Sequence, residues 1–181
     1  MSQHHLILKS NLALDRLEEE GSFSGYASVF DHVDQQKDRV IHGAFRDTLA
    51  RDALPKMLWQ HNPQEPIGVW QIVEEDHKGL YVQGQLLLDL QKAKEAHTLM
   101  KRGVVTGLSI GCQVVKASYN AEEKVRHLEE VSLMEISLVT FAANTQAKIT
   151  AVKGLAKKTY DHYTQELFAS IQNAIRVLSC E

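Results

Sequence analysis

The sequence predicts one α+β domain centred on a barrel-like, mainly antiparallel and strongly curved β-sheet, with helices packed around it. Three observations lead there. Short runs of β-type residues dominate the chain up to about Val152, whereas helical periodicity occurs in only a few stretches. The two most strand-like stretches, Val104 to Lys116 and Val131 to Phe141, flank a charged, turn-forming segment, as the arms of a long hairpin would. At 181 residues with 44% hydrophobic and 24% charged residues, the chain has the balance of one globular domain with a full core.

In chain order, His5 to Ser10 reads as a strand, and Phe23 to Phe30 alternates apolar and small residues as a half-buried strand does. Asp31 to Asp38 is polar and turn-like; its acidic residues Asp31, Asp34 and Asp38 lack a calcium-loop pattern and read as a solvated turn. Ala44 to Leu54 reads as a helix, with Phe45, Leu49 and Ala53 spaced along one face, ended by Pro55. Lys56 to Gln60 is apolar enough for a buried strand. Asn62 to Pro66 carries two prolines and reads as a loop. Ile67 to Val73 and Leu80 to Leu88 read as strands around a turn at Glu74 to Gly79, the second with Leu80, Val82, Gly84, Leu86 and Leu88 on one face.

Gln91 to Arg102 reads as a helix with Ala93, Ala96, Leu99 and Met100 inward and Gly103 as its terminator. After the long hairpin, joined through Ser118 to Arg126, Tyr160 to Leu178 presents an apolar stripe at helical spacing. Lys153 to Lys158 is the candidate linker. The predicted organisation is therefore a domain over residues 1–152 and a helical extension over 153–181, packed on the same domain.

The composition narrows the function. A formal charge of -3 and a pI of about 6.3, with no extended Lys/Arg run, argue against a nucleic-acid surface. No window approaches the roughly 18 consecutive apolar residues of a membrane span. The N-terminal residues lack the basic and apolar regions of a signal peptide. Two cysteines, Cys112 and Cys180, stand far apart without metal-type spacing, which points to a reducing compartment without a disulfide framework. The histidines show neither HExxH nor a paired spacing suited to zinc, no glycine-rich phosphate loop occurs, and no cofactor is expected.

Three residues stand out as candidates for chemistry. Ser109 lies in Gly107-Leu108-Ser109-Ile110-Gly111, where flanking glycines would let substrate approach a nucleophile. The spacing equally suits an ordinary strand serine bonded to backbone, and the chain lacks the βαβ pattern of the α/β-hydrolase elbow. His61 stands where an apolar strand meets the proline-bearing segment. There an imidazole can exchange protons near neutral pH, or can simply be a surface histidine, one of nine. Glu135 interrupts the apolar run Leu133 to Val139, and a carboxylate so placed needs a partner. An imidazolium would serve, as would Arg102 or Arg126; Glu129 and Glu130, at the strand start, read as solvated.

Taken in order, Gly25-Tyr26-Ala27-Ser28-Val29-Phe30, Ile41-His42-Gly43-Ala44-Phe45, His61 with Pro66-Ile67-Gly68, Lys78-Gly79-Leu80-Tyr81-Val82, Gly107-Leu108-Ser109-Ile110-Gly111, Leu133-Met134-Glu135-Ile136-Ser137-Leu138-Val139 and Ala143-Asn144 resemble the prohead proteases of tailed phages with the HK97-type capsid. The resemblance spans about Ser22 to Val152. It implies a serine endopeptidase distantly related in fold to the herpesvirus assembly proteases, a β-barrel ringed by helices. Carried over by position, Ser109 is the nucleophile, His61 its general base and Glu135 the third member. One departure is visible: the family places proline after the aromatic that follows the acid-bearing strand, and here Phe141 is followed by Ala142.

The implied substrates are the scaffolding segment of the major capsid protein, any separate scaffold and the protease itself. The implied location is the host cytoplasm, inside the assembling prohead. Two other classes compete: a non-catalytic capsid assembly module of the same fold, and a serine hydrolase acting on small esters.

Overall fold

The computed structural model describes residues 20–50 and 54–152. Eight strands lie in chain order: β1 (Ser22–Val29), β2 (Asp38–Val40), β3 (Lys56–Trp59), β4 (Asn62–Glu75), β5 (Gly79–Leu86), β6 (Gly107–Asn120), β7 (Val125–Val139) and β8 (Ile149–Val152). Helix α1 (Arg46–Leu49) separates β2 from β3, and α2 (Gln91–Lys101) separates β5 from β6. All the strands belong to one sheet in the order β2-β7-β3-β4-β5-β1-β8, with β6 on β7.

Pairings are antiparallel except where β2 and β3 run parallel to β7. The sheet curls until its ends meet. Gly107 at the start of β6 bridges Lys148 ahead of β8, Leu108 N–H donates to Ala147 O at 3.1 Å, and Ile149 N–H donates to Thr106 O at 2.9 Å. Inside the curl lies the core, built from alternate strand residues such as Phe23, Ile67, Leu80, Val82, Ile136 and Leu138.

The expectation of a sheet surrounded by helices is not met: the described residues hold only the four-residue α1 and the eleven-residue α2. Among the described residues, the strands supply most of the buried apolar side chains, so the curled sheet closes most of the core on itself. α2 seals part of it with Ala93, Ala96 and Met100 and ends in a Schellman motif. Gly103, at φ +68, donates to Met100 O and Val104 N–H to Leu99 O. Among the described residues no helix is long and apolar enough to cross a membrane.

The helix expected over Ala44 to Leu54 is shorter. Ala44 and Phe45 reach the core from a turn, and the helix runs only over Arg46–Leu49, with Ala50 as its C-cap. This segment bridges the gap along β7 between its partners β2 and β3. Val131 N–H donates to Ala44 O at 3.0 Å and Leu133 N–H to Thr48 Oγ1 at 3.0 Å. The loop expected at Asn62 to Pro66 is strand instead. Proline's fixed φ suits extended backbone, and the register with β3 shifts around Leu58, opposite Pro66, so the missing N–H breaks no regular ladder.

Asp38 also departs from the solvated-turn reading. It is 6% exposed and holds Arg126 through both carboxylate oxygens, at 2.8 and 2.5 Å. The strand expected at His5 to Ser10, the linker Lys153 to Lys158, the helix Tyr160 to Leu178 and Cys180 lie outside the described residues.

Candidate active site

The β6–β7 hairpin places two of the three candidate residues. Its antiparallel register sets Ser109 opposite Ser137 and Gly111 opposite Glu135. Leu108, Ile136 and Leu138 point into the core at 0% exposure. The alternate residues Ser109, Gly111, Glu135 and Ser137 therefore share the opposite face of the sheet. This answers how Glu135 sits in an apolar strand: it faces away from the core, with 13% of its side chain exposed.

His61 arrives from the other edge of β7. β3 pairs parallel to β7 with Lys56 opposite Glu135 and Leu58 opposite Ser137, and then turns back into β4. Gln60 and His61 form the whole of that turn, between the paired Trp59 and Asn62, with φ of 53° and 60°. Positive φ at both central positions is the type I′ hairpin geometry, which side chains other than Gly, Asn and Asp adopt at a cost. Bonds to β7 hold it. Gln60 N–H donates to Leu138 O at 3.0 Å, the Gln60 amide exchanges two bonds with Thr140, and His61 N–H donates to Ser137 Oγ at 3.1 Å.

The result brings His61 onto Glu135, with Nδ1 2.5 Å from Oε1. A carboxylate accepts only, so Nδ1 carries the proton and Nε2 is the nitrogen left to act as a base. This hydrogen bond raises the His61 pKa above the ordinary imidazole value, against the opposing effect of burial. The other carboxylate oxygen, Oε2, accepts the Ser137 hydroxyl at 2.6 Å. Neither Arg102 nor Arg126 partners Glu135; Arg126 is taken by Asp38.

Ser109 and His61 line one cleft of about 530 Å³, together with Cys112, Phe141 and the Asp38–Arg126 pair. Ser109 is 9% exposed and lines that space. Cys112, the other nucleophile type there, is a poor thiolate source, because burial, helped by Asp38 and Glu135, pushes its pKa up. Phe141 stands 88% exposed at the cleft. Although proline is absent after Phe141, Asn144 anchors the following turn by donating to Val29 O at 2.8 Å.

His61 and Glu135 thus meet from the β3–β4 turn and β7, while Ser109 of β6 lines the same cleft as His61 without a hydrogen bond to it. Ser137 was not singled out from the sequence, although it shares the Glu135 face two residues on. Only the register shows that it touches both Glu135 and His61. The glycine at 111 also changes meaning. A Cβ there would lie 2.1 Å from Glu135 Oε1, so the missing side chain makes room for the acid as well as for any substrate.

A serine and an imidazole at one cleft of a curled sheet, with a carboxylate bonded to the imidazole, make the side-chain set that serine hydrolases use. The chain belongs to the Caudovirus prohead serine protease family, whose description matches residues 9–173. That span continues past Val152, where the motif-by-motif resemblance ended. The chain is 40% identical over 139 residues to the prohead protease of Enterobacteria phage HK97, covering 75% of this chain and 62% of that protein. It is 34% identical over 107 residues to the capsid polyprotein of Pseudomonas phage PAJU2, covering 56% of this chain and 16% of that protein. It therefore spans less than two thirds of the length of either relative. Among solved structures, the bacteriophage T4 capsid assembly protease aligns with a TM-score of 0.49 at 12% identity, over 65% of this chain and 81% of that one.

Proposed function

We propose that the chain is a serine endopeptidase that cleaves the scaffolding segment of the major capsid protein, and itself, during prohead maturation in the host cytoplasm. Ser109 is the nucleophile, His61 the general base and Glu135 the acid that orients the imidazole. The observation that carries the reading is the 2.5 Å bond from His61 Nδ1 to Glu135, beside a serine that shares the cleft, in a chain of this family. The relation of the fold to the herpesvirus assembly proteases belongs to the same proposal, as does the division into a protease domain over residues 1–152 and a helical extension over 153–181.

The chemistry follows from the side chains. His61 Nε2 takes the Ser109 hydroxyl proton while the oxygen attacks the scissile carbonyl carbon. The C–N bond then breaks, and the imidazolium gives that proton to the leaving amine. Water, deprotonated by the same nitrogen, attacks the acyl-enzyme ester and returns the serine. Glu135 keeps Nδ1 protonated and stabilises the imidazolium formed in each half-reaction.

The test is co-expression with the capsid precursor, read by intact-mass spectrometry. A folded Ser109→Ala protein should leave the precursor uncut and its own chain untrimmed. Processing that continues with Ser109→Ala would remove Ser109 from the role. Turnover of small esters with none on the precursor would instead favour the ester-hydrolase reading.

A further inference from the structure

Ser137 occupies a position that the proposed acyl-transfer chemistry leaves unused. Its side chain is fully buried, at 0% exposure, directly across the β6–β7 ladder from Ser109. Its Oγ makes two bonds of opposite sense, accepting His61 N–H at 3.1 Å and donating to Glu135 Oε2 at 2.6 Å. With Oε1 bound to His61 Nδ1 at 2.5 Å, the three bonds close a ring through the Glu135 carboxylate, the His61 side chain, the His61 backbone and the Ser137 hydroxyl.

We propose that Ser137 is a positioning residue, whose single hydroxyl locks the strained His61 turn and the Glu135 carboxylate into one geometry. The inference rests on the reading of Ser109, His61 and Glu135 as the reacting set.

The chemistry explains why a hydroxyl stands there. The ring needs one group that accepts from an amide and donates to a carboxylate, and only a hydroxyl does both from a single small side chain. Two degrees of freedom are removed together. His61 has a backbone conformation, φ 60°, that needs support, and Glu135 has a terminal torsion that is soft by nature. With alanine at 137 the His61 N–H and Oε2 both lose a partner, and the imidazole can swing on an unpinned turn. A small displacement of a reacting group is enough to slow a reaction that depends on alignment. A purely structural serine, filling its site in the strand, would affect stability and leave the ring nitrogens where they are.

The experiment uses the full chain with Ser137→Ala, Ser137→Thr and Ser109→Ala, each checked for folding. Cleavage of the capsid precursor is measured as kcat and KM, and the His61 Nδ1 proton is followed as a far-downfield NMR resonance. For Ser137→Ala, kcat should fall roughly ten- to hundredfold with KM nearly unchanged, and the resonance should broaden or move upfield. Ser137→Thr, which keeps the hydroxyl, should recover most of both.

A folded Ser137→Ala protein with wild-type kcat and an unmoved resonance overturns the proposal, and so does a lost rate that threonine fails to restore while the resonance stays in place. If the alanine variant does not fold, Ser137→Cys takes its place as a near-isosteric, weaker donor. Wild-type kcat together with an unmoved resonance in that variant also overturns it. Cleavage that survives in Ser109→Ala would bring down the parent reading, and the Nδ1 resonance would still report on Ser137 separately.

Discussion

The space over Gly111 is filled by the Glu135 carboxylate, whose Oε1 and Cδ would lie 2.1 and 2.8 Å from an added Cβ. The obstruction is the Glu135 side chain from Cγ outward rather than backbone, so Gly111→Ala should fold, with a melting temperature lowered by the lost bonds to His61 and Ser137. Glu135 would have to swing off His61 to make room. Activity should then fall at least tenfold, toward the level of Glu135→Gln, and measuring both variants side by side tests whether they share a cause. A fully active Gly111→Ala protein would show that the acid has room to spare.

The same hydrogen bond sets a pH dependence. As the proposed base, His61 must be neutral to act, and Glu135 raises its pKa, so the acidic limb of kcat/KM should lie above the ordinary imidazole value. In Glu135→Gln that limb should move to lower pH, while the plateau drops by up to about 10⁴-fold. Stability runs in the opposite sense. The folded-state pKa of His61 is above its unfolded value, so the pair contributes stability that is fully present below the unfolded pKa. That contribution is lost as pH rises through the folded one. With 43% of the imidazole side chain exposed, the effect is small. Thermal melts of wild type and Glu135→Gln should therefore differ most at acidic pH and converge above neutrality.

Among the elements, the β3–β4 hairpin carries the unusual local geometry. Two non-glycine residues with positive φ hold His61 at its tip, and the reciprocal bonds between Gln60 and Thr140 tie that tip to the end of β7. Gln60→Ala removes both side-chain bonds and leaves the backbone bond to Leu138. Stability should fall by about 1 kcal/mol, or about 2–4 °C in melting temperature, and kcat should drop several-fold as the turn loosens. An unchanged kcat would mean that Ser137 and the backbone suffice to hold the turn. Local sequence signals were least informative here. The prolines at 63 and 66 suggested a loop, yet β4 begins at Asn62, because the pairing partner of an extended proline decides whether its missing N–H matters. By contrast, the Gln91–Lys101 helix and its Gly103 terminator are local in origin and were legible from periodicity and cap chemistry alone.

For the whole molecule, the seam where the curled sheet closes positions the site. β1 meets β8 there, and the start of β6 meets the segment ahead of β8, one residue before Ser109. Gly25 lies in that seam, where a Cβ would come 2.3 Å from Lys148 O and 2.8 Å from Ile149 Cα. These are backbone atoms, held by Tyr26 N–H donating to Lys148 O at 3.0 Å, so they cannot step aside as a carboxylate can. Gly25→Ala should destabilise the fold by about 1–3 kcal/mol, read as a lower denaturation midpoint, with little effect on the rate of molecules that remain folded. A Gly25→Ala protein as stable as wild type would mean that the seam opens at little cost.

The sequence by itself determined the strand-rich character, the long hairpin and α2, because alternation, helical spacing and cap residues act over a few neighbours. It also singled out Ser109 by its flanking glycines, His61 by its place where an apolar strand meets a proline-bearing segment, and Glu135 by a carboxylate in an apolar run. Their roles came from the family resemblance. The tertiary structure alone decided that Glu135 meets His61, 74 residues away, rather than an arginine. It likewise decided that Ser137 bonds to both, that Gly111 clears the acid, and that among the described residues strands supply most of the core. The physical reason is register. Which residues face each other across β3, β7 and β6 follows from burying Leu108, Ile136 and Leu138 together, a choice made by the whole core and by no segment on its own.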